Sequence, residues 1–400
     1  MDSTFTNDII IVGQQAWDTE IGSNCKNIAL ELSKTNRVLY VNSPLDRITL
    51  MRDKTDPKVQ QRVKVIKGRE DGLVEIKENL WNYYPDCMVE SINWINNHSL
   101  FNFLNKINNR RFSSSIKKAI KRLDFKDYLL FNDSEMFKAF YLKDYLKPRL
   151  SMYYSRDYMV AFDYWKKHGE WVEPLIIAKS DLCFANSEYL ADYCRQFNSK
   201  SYYVGQGCDI DDFKGAQKLP KPPDVRKLPT PVIGYVGALN SVRLDVTIIE
   251  HIARSFPEFT VLLVGPEDEG FQASKLHDIN NVVFLGPKPV DELPNYINSF
   301  DVCINPQLLN PVTIGNYPRK VDEYLAVGKP TVVTATKTME SFKEHVYIAE
   351  TKEDYVKLIM KALNDNTPKR IDARIAFASE HTWENSVKLM SEQICARLGK

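Results

Sequence analysis

Short apolar runs alternate with helical segments along most of the 400-residue chain. In the first half, the runs predict strands at 8–12, 36–41, 63–66, 129–131, 150–153, 182–185 and 202–204. In the second half, they predict strands at 232–236, 259–264, 282–285, 301–305, 331–333 and 346–348. Alternation of strand and helix is typical of folds built on parallel sheets. The pattern therefore predicts an α/β protein whose two halves each carry a sheet.

Residues 214–231 interrupt this alternation. They hold five prolines and four lysines, a composition typical of an interdomain connection. We place the linker at 209–231, between a first domain at 1–208 and a second domain at 232–381. An amphipathic terminal helix follows at 382–398. A chain of this length can form two domains with full cores.

The stretch 301–336 carries the densest chemical pattern. A short buried strand leads into a polar loop and then into a helix that begins at Pro318. Such a loop, feeding a helix N-terminus behind a parallel strand, can bind anions through unpaired backbone N–H groups. Lys320 and Glu323, expected on the polar face of this helix, could bind the phosphates and the sugar hydroxyls of a nucleotide sugar. The alternative is that the two side chains form a solvated ion pair.

The sequence PRKVDEYLAVGKPTVVT, at 318–334, resembles the donor-site signature of the group 1 glycosyltransferases of the GT-B fold. That family transfers a sugar from a nucleotide diphosphate to an acceptor, usually with retention at the anomeric carbon. The resemblance implies two Rossmann-like domains that face each other across a cleft, with the donor in the second domain. It also implies that the C-terminal helix crosses back onto the first domain. The sequence GQGCDIDDF, at 205–213, is similar to the hinge of this family.

The resemblance also assigns roles to single residues. Glu323 falls on the acid that binds the ribose hydroxyls, and Lys320 falls on a position that contacts the diphosphate. Many members carry another Glu eight residues earlier, where this chain has Gly315. We expect neighbouring backbone amides to replace the sugar contacts of that Glu. These amides are those of Thr313, Ile314, Gly315 and Asn316.

Three glycines follow successive predicted strands of the second half: Gly237, Gly265 and Gly286. Close backbone approach at three strand ends favours a surface for a nucleotide. Arg243 matches the region where members of the family place a diphosphate-binding cation. Arg243 and Lys320 would then stabilise the leaving diphosphate, with no metal ion required.

Polar residues also follow two predicted strands of the first half, where we expect the acceptor side of the site. Asp133 ends one of these strands, and Arg156 and Asp157 follow the other. Asp133 is a candidate general base for an acceptor hydroxyl, or a residue that holds that hydroxyl. The alternative is that Asp133 caps a helix that begins at Ser134.

The loop at 13–22 follows the first predicted strand, where it is either a ligand-binding loop or a simple crossover. The family resemblance implies that Gly22 contacts the donor sugar. His168 is expected in a loop, and none of the six histidines has the spacing of a metal site.

A basic stretch at 97–126 predicts a long amphipathic helix with eight basic residues and one acid, Asp124. Ile116, Ile120 and Leu123 mark its buried stripe. A basic amphipathic helix suits docking on a membrane surface. The alternative is an exposed, solvated face.

Composition excludes several other classes of protein. A net charge of +1 argues against bulk binding of nucleic acid. No apolar run approaches the ~18 residues of a membrane span, and the start of the chain lacks a signal-peptide pattern. We therefore expect a cytoplasmic protein, peripheral on the inner membrane face. Cys183 and Cys303 lie in strand-like runs, which predicts buried free thiols.

Asp209 and Asp211 imitate the D-x-D metal motif of the other large glycosyltransferase fold, but they lie at the entrance to the predicted linker. We therefore expect no metal ion, and no cofactor apart from the nucleotide sugar as substrate. The predicted activity is transfer of a hexose from a UDP- or GDP-sugar to a lipid-linked saccharide in cell-surface polysaccharide biosynthesis. Two alternatives stay open: a GT-B-fold sugar-nucleotide epimerase, and a non-catalytic two-lobed solute-binding protein.

Overall fold

A computed structural model of the chain describes residues 6–19, 22–213 and 215–399. The chain divides into two compact units, Met1–Gly205 with Trp383–Lys400, and Gln206–Thr382. The chain leaves the first unit after Gly205, whereas the sequence predicted that the first domain ends at residue 208. The chain returns to the first unit after Thr382, the residue at which the predicted terminal helix begins.

The first unit is built on an eight-stranded sheet. Along the described chain its strands are β1 (Asp8–Val12), β2 (Arg37–Val41), β3 (Leu45–Asp46), β4 (Leu73–Lys77), β5 (Leu80–Tyr83), β6 (Met88–Val89), β7 (Leu129–Asp133), β8 (Leu150–Ser155), β9 (Leu182–Ala185) and β10 (Ser201–Tyr203). The large sheet has the order β10-β9-β8-β7-β1-β2-β5-β4, and β3 pairs with β6. Within the large sheet only β4, which pairs with β5, is antiparallel.

The helices of the first unit lie between these strands. They are α1 (Asn24–Leu32), α2 (Arg47–Arg52), α3 (Pro57–Ile66), α4 (His98–Leu123), α5 (Leu142–Leu146), α6 (Asp163–Lys179) and α7 (Glu188–Arg195). Because β1 lies between β2 and β7, the strand order reverses there. Ligands of open α/β sheets bind at such a reversal, outside the carboxyl ends of the strands.

The second unit holds a parallel six-stranded sheet. Its strands are β11 (Val232–Val236), β12 (Thr260–Val264), β13 (Val282–Phe284), β14 (Val302–Asn305), β15 (Thr331–Thr334) and β16 (Tyr347–Ala349). Its helices are α8 (Val246–Ser255), α9 (Glu269–Gln272), α10 (Leu293–Ser299), α11 (Arg319–Ala326), α12 (Lys352–Asn364) and α13 (Pro368–Ala378). The sheet order is β13-β12-β11-β14-β15-β16, so the reversal lies between β11 and β14.

Both sheets have a hydrophobic core on each face. In β1, Ile9 and Ile11 belong to one core and Ile10 and Val12 belong to another. This two-faced burial explains why β1 is apolar throughout instead of alternating. The last helix, α14 (Trp383–Leu398), contributes Trp383 and other apolar residues to the same core as α1 and so belongs to the first unit.

The sequence prediction of a strand at 63–66 is wrong. These residues form the end of α3, which begins at Pro57. The carboxylate of Asp56 caps this helix by accepting hydrogen bonds from the N–H groups of Lys58 at 2.7 Å and Val59 at 3.3 Å. Val63 and Val65, which suggested a strand, are therefore helical, because the helix that Asp56 caps continues through them.

The segment 209–231 is not a separate linker. It belongs to the second unit, where Ile210, Phe213, Ala216 and Val225 are buried in the core that also holds α11. Its 3₁₀ turns, Ile210–Phe213 and Ala216–Lys218, carry three of these residues, Ile210, Phe213 and Ala216. Lys214, which the predicted linker includes, lies outside the described residues.

His168 lies inside α6, and the prediction of a loop there is wrong. The predicted free thiols of Cys183 and Cys303 are confirmed, since both side chains are buried and unbridged. Among the described helices, none is at once long and apolar enough to span a bilayer.

Candidate functional site

A small cavity of about 110 Å³ lies at the strand reversal of the second unit. We call it the donor pocket. Its lining includes four residues predicted from the sequence: Arg243, Thr313, Asn316 and Lys320. It also includes three polar residues that the sequence analysis missed: Tyr235, Asn305 and Gln307. Tyr235 and Asn305 lie near the ends of β11 and β14, so their positions at strand termini were the signal that could have identified them.

Lys320, in the first turn of α11, points towards β11. Its Nζ donates a hydrogen bond to the hydroxyl of Tyr235 at 2.7 Å and lies 4.7 Å from the centre of that ring. Lys320 is therefore held over the strand end and does not form the solvated ion pair with Glu323 that was the alternative. One contact of this kind leaves an ammonium with further N–H donors for a ligand.

Tyr324, one turn after Lys320, anchors α11 to the same strand. Its fully buried hydroxyl accepts a hydrogen bond from the N–H of Val236 at 2.9 Å and donates to the carbonyl of Val236 at 3.3 Å. Residues four apart lie on the same face of a helix. The anchor at Val236 thus places Lys320 beside Gly237, where an added Cβ would lie 3.0 Å from the lysine Cε.

Arg243 brings a second positive charge to the donor pocket. Its side chain is exposed, and its backbone is fixed by hydrogen bonds between its N–H and the carbonyl of Asn240 at 2.9 Å, and between its carbonyl and the N–H of Leu308 at 2.9 Å. Two cations on one small pocket favour a ligand with adjacent negative charges, such as a diphosphate.

Glu323 and Lys320, both expected on the polar face of the helix, are half-buried. Burial raises the pKa of the Glu323 carboxyl above its usual value, although the nearby charges of Arg319 and Lys320 oppose that rise. Arg319 in turn lies 3.7 Å from Asp209. Glu323 thus lies on a charged side of α11 and is not among the residues that line the donor pocket.

The predicted cradle of backbone amides at 313–316 is not formed in this structure. The N–H groups of Thr313 and Ile314 both donate to the carbonyl of Asn310, at 3.1 and 3.0 Å, and that of Asn316 donates to the carbonyl of Thr313 at 2.9 Å. Thr313 is fully buried and Ile314 is exposed. Gly315, which follows Ile314, is buried. The loop uses the amides of Thr313, Ile314 and Asn316 for its own folding, and its polar residues on the pocket are Thr313 and Asn316.

The three predicted glycines do converge, but for a structural reason. The N–H of Gly265 donates to the carbonyl of Gly286, and the N–H of Gly237 donates to the carbonyl of Val264, both at 2.9 Å. A Cβ on Gly265 would lie only 2.0 Å from the carbonyl oxygen of Gly237, so this position excludes any side chain. Of the three glycines, Gly237 is the one whose Cβ would meet Lys320.

The predicted acceptor-side residues also meet, at the strand reversal of the first unit. Nε of Arg156 donates to the fully buried carboxylate of Asp133 at 2.9 Å, and Nη1 donates to Asp157 at 3.1 Å. Gln14, which the sequence analysis missed, accepts from Nη2 of Arg156 at 3.1 Å. Burial acts to lower the pKa of Arg156, but the carboxylates of Asp133 and Asp157 outweigh it and raise that pKa.

The alternative that Asp133 caps a helix at Ser134 is wrong. Ser134 has a left-handed φ of 52°, and the next α-helix begins at Leu142. The carboxylate of Asp133 instead accepts from Arg156 and, at 3.4 Å, from the N–H of Gln14. Because its carboxylate is enclosed by these donors, Asp133 is better placed to position Arg156 than to take a proton from a ligand.

The loop after β1 is fastened to the body of the first unit. Nζ of Lys26 donates to the carbonyls of Trp17 at 2.8 Å and Thr19 at 2.6 Å. Gly22 is exposed at the far end of this loop. The predicted loop also includes Glu20 and Ile21, which lie outside the described residues.

Three of the seven Lys and Arg side chains of α4 pair with acids from other segments. Arg111 bonds to Glu90 at 2.9 Å, Lys118 to Asp86 at 2.6 Å and Arg122 to Asp71 at 2.6 Å. These partners lower the net charge of the surface that the sequence predicted as strongly basic. Among the described residues, no three His, Cys, Asp or Glu side chains are grouped as metal ligands would be.

Comparison with solved structures defines the class of the fold. A sucrose-phosphate synthase from Thermosynechococcus elongatus matches with a TM-score of 0.65 and 15% identity, over 98% of this chain and 99% of that one. The Anabaena protein Alr3699/HepE, in complex with UDP, also matches with a TM-score of 0.65 and 15% identity, over 98% of this chain and 100% of that one. The prediction of an α/β GT-B fold with two Rossmann-like domains is confirmed.

Residues 230–365 match the family model described as Glycosyl transferases group 1. This segment, which contains the donor pocket, is a group 1 glycosyltransferase domain, and the predicted resemblance is confirmed. A curated relative is TuaH of Bacillus subtilis (strain 168), which carries the provisional name teichuronic acid biosynthesis glycosyltransferase. It is 29% identical over 181 residues, which are 43% of this chain and 45% of TuaH. The chain thus matches about half the length of this relative.

Proposed function

We propose that the protein is a glycosyltransferase that moves a sugar from a UDP-sugar to a lipid-linked saccharide in cell-surface polysaccharide biosynthesis. The observation that carries the proposal is the donor pocket, where Lys320 and Arg243 meet within the group 1 segment. UDP is favoured over GDP because solved structures of the neighbour HepE contain UDP and UDP-glucose. The name of TuaH supports an acceptor of the cell-surface polysaccharide type.

Lys320 and Arg243 would stabilise the leaving diphosphate as negative charge grows on it. Such groups act strongly when they are already in place before the reaction, and the contact with Tyr235 and the anchor of Tyr324 hold Lys320 in this way. On the acceptor side, Asp133 would hold the guanidinium of Arg156 in position. Retention at the anomeric carbon, and work at the cytoplasmic face of a membrane, are parts of the proposal that come from the family resemblance and from the acceptor class.

Titration calorimetry with UDP, GDP and ADP tests the donor, and release of UDP from UDP-glucose tests the chemistry. We expect UDP to bind to the wild type. Lys320→Ala should lower kcat by roughly 100-fold or more and should lower the affinity for UDP by a smaller factor, because the charge of Lys320 acts mainly in the transition state. Lys275→Ala, an exposed lysine of the same unit, is the matched control and should change neither. Failure of every nucleotide to bind would refute the donor pocket.

A sugar-nucleotide epimerase is the second candidate, since it would use the same pocket. Product analysis with and without an acceptor separates the two activities. An epimerase forms free sugar at the same rate in both cases, whereas a transferase accelerates when the acceptor is added.

A further inference from the structure

A groove of about 560 Å³ lies in the first unit, between α2, the segment 89–94, α4 and the start of α6. Its volume is within the range of small-molecule sites, roughly 300–1,000 Å³. The residues predicted as acceptor-side, Arg156 and Asp157, are not part of its lining. We call it the apolar groove.

Large hydrophobic side chains form part of the floor and of the walls of this groove. Phe101 and Phe137 are buried beneath it, while Ile48, Trp94 and Tyr164 line it and are exposed to solvent. Trp94 is 70% exposed, yet its indole N–H donates to the carbonyl of Ser91 at 2.8 Å, which fixes the ring at the mouth. Large apolar side chains gathered in one exposed place mark a binding surface.

Positive charge surrounds the apolar lining. Lys138 and Lys167 line the groove, and Nζ of Lys167 donates to the carbonyl of Trp94 at 2.9 Å. The carboxylate of Glu90 is shared by two guanidinium groups, those of Arg47 at 2.6 Å and Arg111 at 2.9 Å, so this triad keeps a net positive charge.

Asp46, the other acid of the lining, is already engaged. Its carboxylate accepts from the N–H of Thr49 at 3.0 Å and from the hydroxyl of Ser91 at 2.7 Å, and it lies 3.9 Å from Nζ of Lys138. The cations of this region outnumber the two acids, so the net charge at the rim is positive. These cations are Arg47, Arg111, Lys138 and Lys167.

We infer that the apolar groove binds the lipid part of the acceptor, as a single apolar chain that ends in a phosphate. The chain fits the aromatic and aliphatic lining, and the phosphate fits the cations at the rim. A neutral saccharide would leave the hydrophobic walls uncovered. A symmetric pairing with a second copy would bring the same cations against one another. The inference rests on the proposed function, whose acceptor class it makes specific.

Titration calorimetry with dodecyl phosphate, below the concentration at which it forms micelles, tests the inference without turnover. We expect the wild type to bind it, and the double variant Ile48→Gln/Trp94→Gln to bind at least about tenfold more weakly through loss of apolar contact. Lys167→Gln should also weaken dodecyl phosphate, but it should leave the neutral amphiphile dodecyl maltoside unchanged.

Two variants serve as matched controls. Leu175→Gln changes a side chain as exposed as that of Ile48, at 49% against 51%, outside the groove. Lys166→Gln changes the neighbour of Lys167, which does not line it. Both controls should bind like the wild type. All variants should bind UDP normally, so failure in this titration and failure of the donor pocket can be told apart.

Three outcomes would overturn the inference. The first is absence of dodecyl phosphate binding by the wild type. The second is binding only to phosphatidylcholine–phosphatidylglycerol vesicles, which would make the groove a membrane-docking surface. The third is self-association, measured by sedimentation, that Ile48→Gln abolishes, which would make it an interface between two copies.

Discussion

Glu323 is half-buried on α11, where the charges of Arg319 and Lys320 of the same helix act on its carboxylate. The signature placed Glu323 correctly on α11, and the spacing already put Arg319 and Lys320 one turn away, but the burial of Glu323 could not be read from the spacing. That burial depends on tertiary packing, as does the approach of Asp209 to Arg319. Sequence patterns report the face of a helix, whereas the depth of that face depends on what packs over it.

If Glu323 accepts hydrogen bonds from the two ribose hydroxyls, Glu323→Gln should weaken the binding of UDP by ~1.5–3 kcal/mol, because charge-assisted hydrogen bonds are lost. The same substitution should weaken the binding of 2′-deoxy-UDP less than that of UDP, since 2′-deoxy-UDP lacks one of the two hydroxyls. Calorimetry with both nucleotides measures this difference, and Glu340→Gln, an exposed acid of the same unit, is the control. Equal loss for the two nucleotides would place the ribose contact elsewhere.

Glu173 in α6 is a buried acid that the sequence analysis, unlike in the case of Glu323, did not single out. It is 1% exposed and accepts hydrogen bonds from the hydroxyls of Tyr153 at 2.8 Å and Tyr193 at 3.2 Å. Burial raises the pKa of its carboxyl from 4.5 to about 7, although both tyrosine hydroxyls oppose the rise. The folded first unit therefore keeps this proton over a pH range where the unfolded chain releases it.

The sign of the effect follows from this proton. The stabilisation is full below pH 4.5 and is lost as the pH rises towards 7, a change of about 3 kcal/mol. Glu173→Gln cannot ionise, so it should remove this pH dependence and gain stability relative to the wild type at pH 8. Urea unfolding between pH 4.5 and 8 measures it, with Glu170→Gln, exposed on the same helix, as the control. Parallel pH curves for wild type and Glu173→Gln would contradict the prediction.

At the scale of elements, the second unit was more predictable than the first. Its strands are apolar, and each of the six predicted runs coincides with a strand. In the first unit, β3, β4, β5 and β6 were missed. Four of the five residues of β4 are exposed at the sheet edge, so they carry no apolar pattern to identify them.

The attachment of α11 to β11 gives a prediction at this scale. Tyr324→Phe removes the acceptor of the Val236 N–H, so it should lower the free energy of unfolding of the second unit by ~1–3 kcal/mol. It should also weaken UDP binding, because Lys320 is positioned by the same helix. Tyr153→Phe removes a buried hydroxyl in the first unit and should destabilise without affecting UDP. Unchanged UDP affinity in Tyr324→Phe would mean that Lys320 does not depend on this anchor.

At the scale of the whole molecule, one dense signature was enough to predict the fold, because it is specific to a family. The same sequence could not show that acids of the segment 71–90 pair with three of the basic side chains of α4. Those ion pairs join residues far apart in the chain, and helical periodicity carries no information about them. The sequence analysis therefore overestimated the net positive charge of this surface.

Charge across the donor pocket leads to the last prediction, that turnover needs no divalent metal ion. Lys320 and Arg243 already place two positive charges on the lining of the donor pocket, and a divalent cation there would be repelled by both. We expect the rate of UDP release from UDP-glucose to be unchanged when EDTA replaces Mg²⁺ in the assay. Lys320→Ala, which removes one of these charges, should be slow under both conditions. Activity that EDTA abolishes and Mg²⁺ or Mn²⁺ restores would show instead that the side-chain cations do not suffice, and the role of Lys320 in stabilising the leaving group would have to be withdrawn.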